Sequence, residues 1–234
     1  MVKTHTILVV EDEVNIAEVL KSYLEKEGFT VACAYDGQDA LRLFDEISPA
    51  LVLLDLMLPG LSGEEVCRAI RKRSRAPILM LTAKTEEEDI LLGLDIGADD
   101  YVTKPFSPRQ VIARVHALLR RTEGETSLAS GEHSYDGRAL VIDTHRRAVY
   151  KGGAAAPLTP SEFSLLVTLA GRPERAFSRE ELIRFALPDD FEGFDRVIDT
   201  HMKNLRQKIE PDAKNPRYIL TVRGVGYRFG GEEE

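Results

Sequence analysis

The sequence predicts two domains: an α/β domain on a doubly wound, five-stranded parallel sheet, then a smaller α+β domain. Three observations carry this prediction. Apolar runs and amphipathic stretches alternate across residues 1–121, a polar stretch fills 122–132, and short strand-like runs with three helical patterns occupy 133–231. A chain of 234 residues also suits two domains of ordinary size.

In the first domain the strand-like runs are Thr6–Val10, Thr30–Ala34, Leu51–Asp55, Ile78–Thr82 and Asp100–Thr103. Between the first two, Ile16, Val19, Leu20, Tyr23 and Leu24 recur at i, i+3, i+4, i+7 and i+8, one face of a helix. Gly28, Gly37, Gly97 and the Pro59-Gly60 pair punctuate the joints. Strand and helix in alternation imply a parallel sheet covered on both faces. In such sheets function collects outside the carboxyl ends of the strands.

The stretch TEGETSLASGE at 122–132 is small, polar and aperiodic, as a linker is. Beyond it, Leu140–Asp143 and Ala148–Lys151 read as short strands around the polar turn Thr144-His145-Arg146-Arg147. Thr159 is an N-cap, Pro160 suits the first helical position and Glu162 completes a capping box. A second helix starts at Ser178, with Glu181 three positions on. A third spans about Arg196–Ile209, and Tyr218–Phe229 closes as a hairpin around Gly224-Val225-Gly226. Together these make a winged helix-turn-helix.

Composition narrows the function classes. No apolar run reaches the roughly 20 residues that span a bilayer, and MVKTHTILVVEDE meets acid too soon for a signal peptide. Cys33 and Cys67 are too few for a disulfide scaffold or zinc cluster and are expected as ordinary thiols of a cytoplasmic protein. The net charge of −8 hides an asymmetry. Residues 1–122 hold 15 Lys/Arg against 20 Asp/Glu, whereas 196–228 hold 8 against 3. The basic end is the one suited to nucleic acid.

The predicted strand ends carry Glu11-Asp12, Asp55, Thr82 and, after the fifth, Lys104-Pro105. Three carboxylates gathered on one sheet edge repel one another and call for a cation, and an oxygen-only ligand set suits Mg²⁺. Thr82 and Lys104 add a donor and a counter-charge for a phosphoryl group, and Asp55 is a carboxylate able to accept one. Singly, each feature is ordinary: a Glu-Asp pair or a lone Asp often caps a helix, and Lys-Pro marks a turn. Their joint occurrence in order favours a phosphoacceptor site.

The segments VVEDE, LVLLDLMLPGLSG, ILMLTA and GADDYVTKPF resemble the flavodoxin-like receiver domain of two-component response regulators. That resemblance makes Asp55 the phosphoacceptor of a partner histidine kinase. It assigns Mg²⁺ to Glu11, Asp12, Asp55 and the backbone carbonyl of Met57, and phosphoryl contacts to Thr82 and Lys104, with Lys104-Pro105 in cis. Tyr101 becomes the switch aromatic that swings inward when Thr82 moves. Met57 and Lys84 occupy the positions that tune acyl-phosphate hydrolysis, and a bulky Met57 is expected to impede an in-line water. Phosphatases of the haloacid dehalogenase type share Asp, Thr, Lys and Mg²⁺, but their second aspartate falls where this chain has Met57. The receiver is thus expected to catalyse only its own phosphoryl transfer and dephosphorylation, without being an enzyme otherwise.

LTPSEFSLLVTLA, FSREELI, DRVIDTHMKNLRQKI and YILTVRGVGYRF resemble the effector domain of the OmpR/PhoB family. Val197, Ile198, Met202, Leu205 and Ile209 form the apolar stripe of the third helix, while Arg196, Thr200, Lys203, Asn204, Gln207 and Lys208 are read outward and His201 and Arg206 at the border. The resemblance implies promoter DNA contacts from Arg196, Thr200, His201, Lys203, Asn204 and Arg206, with Thr221 and Arg223 on the backbone from the hairpin and Arg228 nearby. It also implies a homodimer on phosphorylation, through the helix before the fifth strand, that strand and the helix after it. Ile90, Leu91, Leu94, Asp99, Asp100, Arg114 and Arg121 fall on that face. Ile90 and Gln110 replace a basic and an acidic residue there, so a more apolar seam is expected. RNA polymerase is the implied further partner, through a loop that here has Leu187-Pro188, Phe191 and Phe194 and no Trp.

Overall fold

The five apolar runs become parallel strands: β1 (Thr6–Val10), β2 (Thr30–Ala34), β3 (Leu51–Asp55), β4 (Ile78–Thr82) and β5 (Asp100–Thr103). They are seen in a computed structural model that describes residues 5–83, 93–123, 128–186 and 196–233, Arg121 and Glu123 by backbone alone. The chain divides into two units, Met1–Arg120 and Arg121–Glu234, and each is described by itself.

Period two sets the faces of the first sheet. Ile7, Val9, Leu51, Leu53, Leu79, Leu81 and Val102 join Ala17, Leu20 and Leu24 of α1 (Val14–Lys26) and Val111, Val115 and Leu118 of α4 (Pro108–Glu123). The alternate residues Leu8, Val10, Val52 and Leu54, also fully buried, serve the other face, where α2 (Gly37–Ile47) and α3 (Gly63–Arg71) pack together. Each such aliphatic side chain contributes about 1.5–3 kcal/mol on burial. The strand order is β2-β1-β3-β4-β5, so the chain reverses direction between β1 and β3. The crevice of such a sheet opens at that reversal.

Two contacts place the site's surroundings. Ser62 and Glu65 form a reciprocal capping box that starts α3. Gly63 then lies so close to β3 that a Cβ on it would sit 2.0 Å from the carbonyl oxygen of Asp55. At the far end of α3, Arg71 donates to Gly97 O (2.7 Å), Ala76 O (2.6 Å) and Asp99 Oδ2 (2.7 Å). That fork fixes the turn leading into β5.

The second unit begins with an antiparallel sheet, β6 (Glu132–Tyr135), β7 (Leu140–Asp143), β8 (Ala148–Lys151) and β9 (Ala154–Ala156). Helices α5 (Pro160–Ala170), α6 (Arg179–Ala186) and α7 (Arg196–Ile209) follow, with β10 (Phe177–Ser178), β11 (Ile219–Val222) and β12 (Gly226–Phe229) in the order β10-β12-β11. Both expected capping boxes are present, Thr159 with Glu162 and Ser178 with Glu181. Three strands were not read from the sequence: β6, which starts at the residue taken as the linker's last, β9, three alanines with no apolar pattern, and the two-residue β10. The core centres on Tyr135, Phe177, Tyr218 and Phe229, with Tyr135 set edge-on to Phe229 at 4.9 Å. Buried Glu210 accepts from the backbone N–H of Arg217 (2.8 Å), Tyr218 (2.9 Å) and Ile219 (2.7 Å), anchoring the start of the hairpin to the end of α7.

The approach of α3 to β3 leaves no room for a methyl group against a backbone carbonyl. Gly63→Ala is expected to destabilise the first unit by about 3 kcal/mol, at the upper end for overpacking. Urea unfolding followed by circular dichroism checks this, and an unchanged midpoint for the first unit would show that α3 can shift freely.

Candidate functional site

At the carboxyl ends of β1 and β3, Glu11, Asp12 and Asp55 each present a carboxylate oxygen within 4.8 Å of the others. Glu11 and Asp55 are buried, while Asp12 is exposed. Lys104, on the loop after β5, reaches in and donates to Asp55 Oδ2 (2.6 Å) and Glu11 Oε1 (2.8 Å). The other oxygen of Asp55 accepts from the N–H of Met57 at 3.0 Å. Thr82 closes β4 and is buried, its carbonyl accepting from Lys104 N at 2.6 Å. The Lys104-Pro105 peptide is cis, as expected.

The helix-cap reading of these acids does not hold. Helix α1 is preceded by Glu13, which makes no side-chain cap, and α3 is capped by Ser62. Glu11, Asp12 and Asp55 are therefore left for other work. Burial is the largest cause that pushes the Glu11 carboxyl up to about 7; Asp55 adds to it and Lys104 opposes it. Both oxygens of Glu11 lie 2.8 Å from the Lys104 ammonium, which is shared with Asp55. One ammonium faces three carboxylates, and a hard cation supplies the positive charge that this oxygen-only donor set still lacks. The residues fit Mg²⁺, with Glu11, Asp12 and Asp55 as ligands.

Other expected site residues fall differently. Tyr101 is 9% exposed, so it already lies inside rather than waiting at the surface. Met57 is 62% exposed at the mouth of the acidic cluster. On the expected dimer face, Leu94, Asp99, Asp100 and Arg114 are all buried, which corrects their reading as displayed residues. The cause is pairing within the chain: Asp99 holds Arg71 and the N–H of Ile78 (3.0 Å), and Asp100 holds Arg114 (2.7 Å). Lys84, Ile90, Leu91, Leu187, Pro188, Phe191 and Phe194, and the side chain of Arg121, lie outside the described residues.

In the second unit, α7 keeps Val197, Ile198, Met202, Leu205 and Ile209 fully buried. Arg196 and Lys203 are exposed and Thr200 half-exposed, and Thr221 and Arg223 of the hairpin are exposed. His201 and Asn204 correct the sequence reading, being 1% and 5% exposed. They follow Val197 by four and seven positions, which puts them on the stripe rather than beside it. Arg206 is committed as well, donating to Ile219 O (2.6 Å) and Thr221 Oγ1 (2.7 Å).

Sequence reading missed what aims α7. Lys208 pairs with both oxygens of buried Glu162 (2.7 and 2.6 Å), Asp199 accepts from Arg179 and Tyr227 (2.7 Å each), and Arg206 lies 5.5 Å from the Tyr227 ring. An acid at helix position three and a tyrosine in a hairpin gave no signal of these long-range partners.

Residues 7–116 match the family model described as the response regulator receiver domain, and residues 153–229 match that described as transcriptional regulatory protein, C terminal. The chain is 46% identical over 226 residues to the DNA-binding response regulator MtrA of Mycolicibacterium smegmatis, covering 96% of each chain. It is 45% identical to MtrA of Mycobacterium leprae, covering 96% of this chain and 97% of that one. Among solved structures, DrrB of Thermotoga maritima, an OmpR/PhoB homolog, aligns with a TM-score of 0.52 at 37% identity over 97% of this chain and 100% of that one. A RitR mutant aligns at 0.77 with 27% identity, over 96% and 98%.

The raised Glu11 carboxyl couples cation binding to proton release. Its folded value of about 7 lies above the ordinary 4.5, so below pH 7 a proton must leave before Mg²⁺ enters. Titration calorimetry is expected to show Mg²⁺ affinity rising about tenfold per pH unit up to pH ~7 and levelling above it. Affinity flat between pH 5.5 and 7 would mean that Glu11 is not a ligand.

Proposed function

The chain belongs to the OmpR/PhoB family of DNA-binding response regulators, and from that premise we propose that phosphorylation of Asp55 by a histidine kinase switches its dimerisation and promoter binding. The observation that carries this reading is Lys104 bridging Asp55 and Glu11 in a buried acidic cluster. Phosphorylation replaces the very carboxylate that Lys104 holds.

The step needs little from the protein except placement. An Asp55 carboxylate oxygen attacks the phosphorus of the kinase phosphohistidine; the O–P bond forms, the P–N bond breaks, and the imidazole leaves and takes up a proton from water. Mg²⁺, when bound by Glu11, Asp12, Asp55 and the Met57 carbonyl, would neutralise charge on the carboxylates and the transferred group. Lys104 follows the new phosphoryl oxygens, and the Thr82 hydroxyl donates to one of them. A groove of about 660 Å³ lined by Ile16, Val19, Leu20, Pro105 and Phe106 opens beside Lys104 and offers the kinase an apolar seat. The receiver supplies no other catalysis, and only its own acyl phosphate turns over.

Downstream, the added charge and the movement of Thr82 and Lys104 bias the β5 side of the sheet. Asp99, Asp100 and Arg114 are paired inside the chain, so a dimer seam through this face requires those pairs to open. Two copies then present Arg196, Thr200 and Lys203 of α7 to adjacent major grooves about one helical turn apart, with Thr221 and Arg223 on the backbone. RNA polymerase contact is assigned to residues 187–195, which lie outside the described residues.

Intact-mass spectrometry after incubation with a small-molecule phosphodonor and Mg²⁺ tests the switch. One phosphoryl adduct per chain is expected on the wild type and none on Asp55→Ala. Met57→Asn, which removes an exposed apolar side chain beside the acyl phosphate, is expected to lose the adduct on the order of tenfold faster. Adduct on Asp55→Ala, or steady turnover of a phosphomonoester, would replace the switch by another chemistry.

A further inference from the structure

The first strand of the second unit carries a histidine held from two sides. β6 lies at the edge of its sheet, and the residues after β12 fold back along it. Glu233 bridges antiparallel to Tyr135, and the N–H of Asp136 donates to Glu232 O (3.2 Å). The path is tight: a Cβ on Gly231 would lie 2.7 Å from the Phe229 ring and 3.2 Å from the Tyr135 ring. Residues 128–131, read from the sequence as linker, are docked as well. The N–H of Gly131 donates to Thr144 Oγ1 (2.8 Å), that of Thr144 donates back to Gly131 O (2.9 Å), and Leu128 is buried.

His133 joins the two segments. Its side chain is 14% exposed, with Nδ1 2.6 Å from Glu233 Oε1 and Nε2 2.8 Å from Ala129 O. A neutral imidazole donates from one nitrogen and turns a lone pair on whatever faces the other. Two acceptors on opposite nitrogens therefore select the imidazolium, which donates to both at once. Burial by itself would lower the proton affinity of His133. The bonds to Glu233 and Ala129 O, with the Glu233 charge, outweigh it and hold the ring above its ordinary 6.5. The other charged groups nearby have partners of their own: on and after β6, Glu132 is held by Arg138 (2.8 Å) and Asp136 by Arg217 (2.9 Å). The Tyr135 phenol is pushed up by burial and by Glu233. On β7, Ile142 stands opposite His133, and Asp143 beside it faces Arg146 (3.7 Å). In the turn after β7, His145 lies 3.2 Å from Ser130 Oγ. Among the described residues, Glu233 is the carboxylate bonded to the ring.

We propose that charged His133 is a pH-sensitive clasp, holding the end of the linker through Ala129 O and the tail through Glu233, and that loss of its proton frees both and lengthens the tether between the units. The proton passes to solvent, and no covalent bond changes. Because the folded ring holds its proton above the ordinary 6.5, the clasp is complete below that pH and opens as pH rises through the higher folded value. A longer tether lowers the effective concentration of one unit at the other.

Two NMR measurements on the full chain test the clasp. Titration of the ring is expected to place His133 above its ordinary 6.5, and lower in Glu233→Gln than in the wild type. Amide exchange, corrected for base catalysis, is then read about one pH unit either side of that midpoint. The amides of Gly131 and Asp136 are expected to exchange on the order of tenfold faster on the alkaline side, while that of Ile219, held by Glu210, keeps its protection. His133→Gln is expected to exchange fast at both pH values with Ile219 still protected, and His145→Gln to behave as the wild type. A ring that titrates at or below 6.5 overturns the clasp, as do Gly131 and Asp136 amides equally protected on both sides of the midpoint. Faster exchange of Ile219 alongside them also overturns it, because the unit is then loosening as a whole.

Discussion

Everything in the first unit is arranged around a repulsion. Parallel strands that reverse order between β1 and β3 bring Glu11, Asp12 and Asp55 to one edge, and carboxylates that close cannot all be charged without help. In the structure Lys104 supplies part of that help from the loop after β5, and Glu11, raised first by its burial and further by Asp55, holds its proton to about pH 7. A cluster balanced this finely responds to any added cation or phosphoryl group. The rest of the sheet serves as a rigid frame, with Gly63 letting α3 press against the Asp55 backbone and Arg71 fixing the turn into β5.

Much of this was legible in the sequence because it is local. The five strands follow from runs of apolar residues, and the two capping boxes follow from residues three positions apart. The acidic pocket was legible for a different reason: strand ends of a parallel sheet share an edge, so Glu11, Asp55, Thr82 and Lys104 could be gathered without knowing any distance. What could not be read depends on partners far along the chain. Asp99 and Asp100 look like surface charges until Arg71 and Arg114 are placed against them. His201 and Asn204 look like a polar helix face, yet helical spacing from Val197 turns them inward. Polar type and position on the helix gave opposite answers, and packing decided.

The second unit is held by charged groups doing structural work. Glu162, Asp199, Arg206 and Glu210 each tie α7 or the hairpin to a neighbour, so the direction of α7 is set by ion pairs and by buried carboxylates accepting backbone N–H groups. Such contacts lose heavily when one partner is removed, since a buried charge is then left alone. Arg196, Lys203, Lys214 and Arg223 are exposed, which explains how a chain of net charge −8 can present a basic surface at one end.

The central claim is that the acidic cluster governs assembly through Asp55. Sedimentation velocity addresses it directly, on wild type and Asp55→Ala, with and without Mg²⁺ and beryllofluoride. The account predicts a shift from monomer to dimer that requires both Mg²⁺ and beryllofluoride and is absent in Asp55→Ala. A dimer under every condition, or no shift in the wild type, would contradict it and leave a regulator whose assembly is independent of phosphorylation.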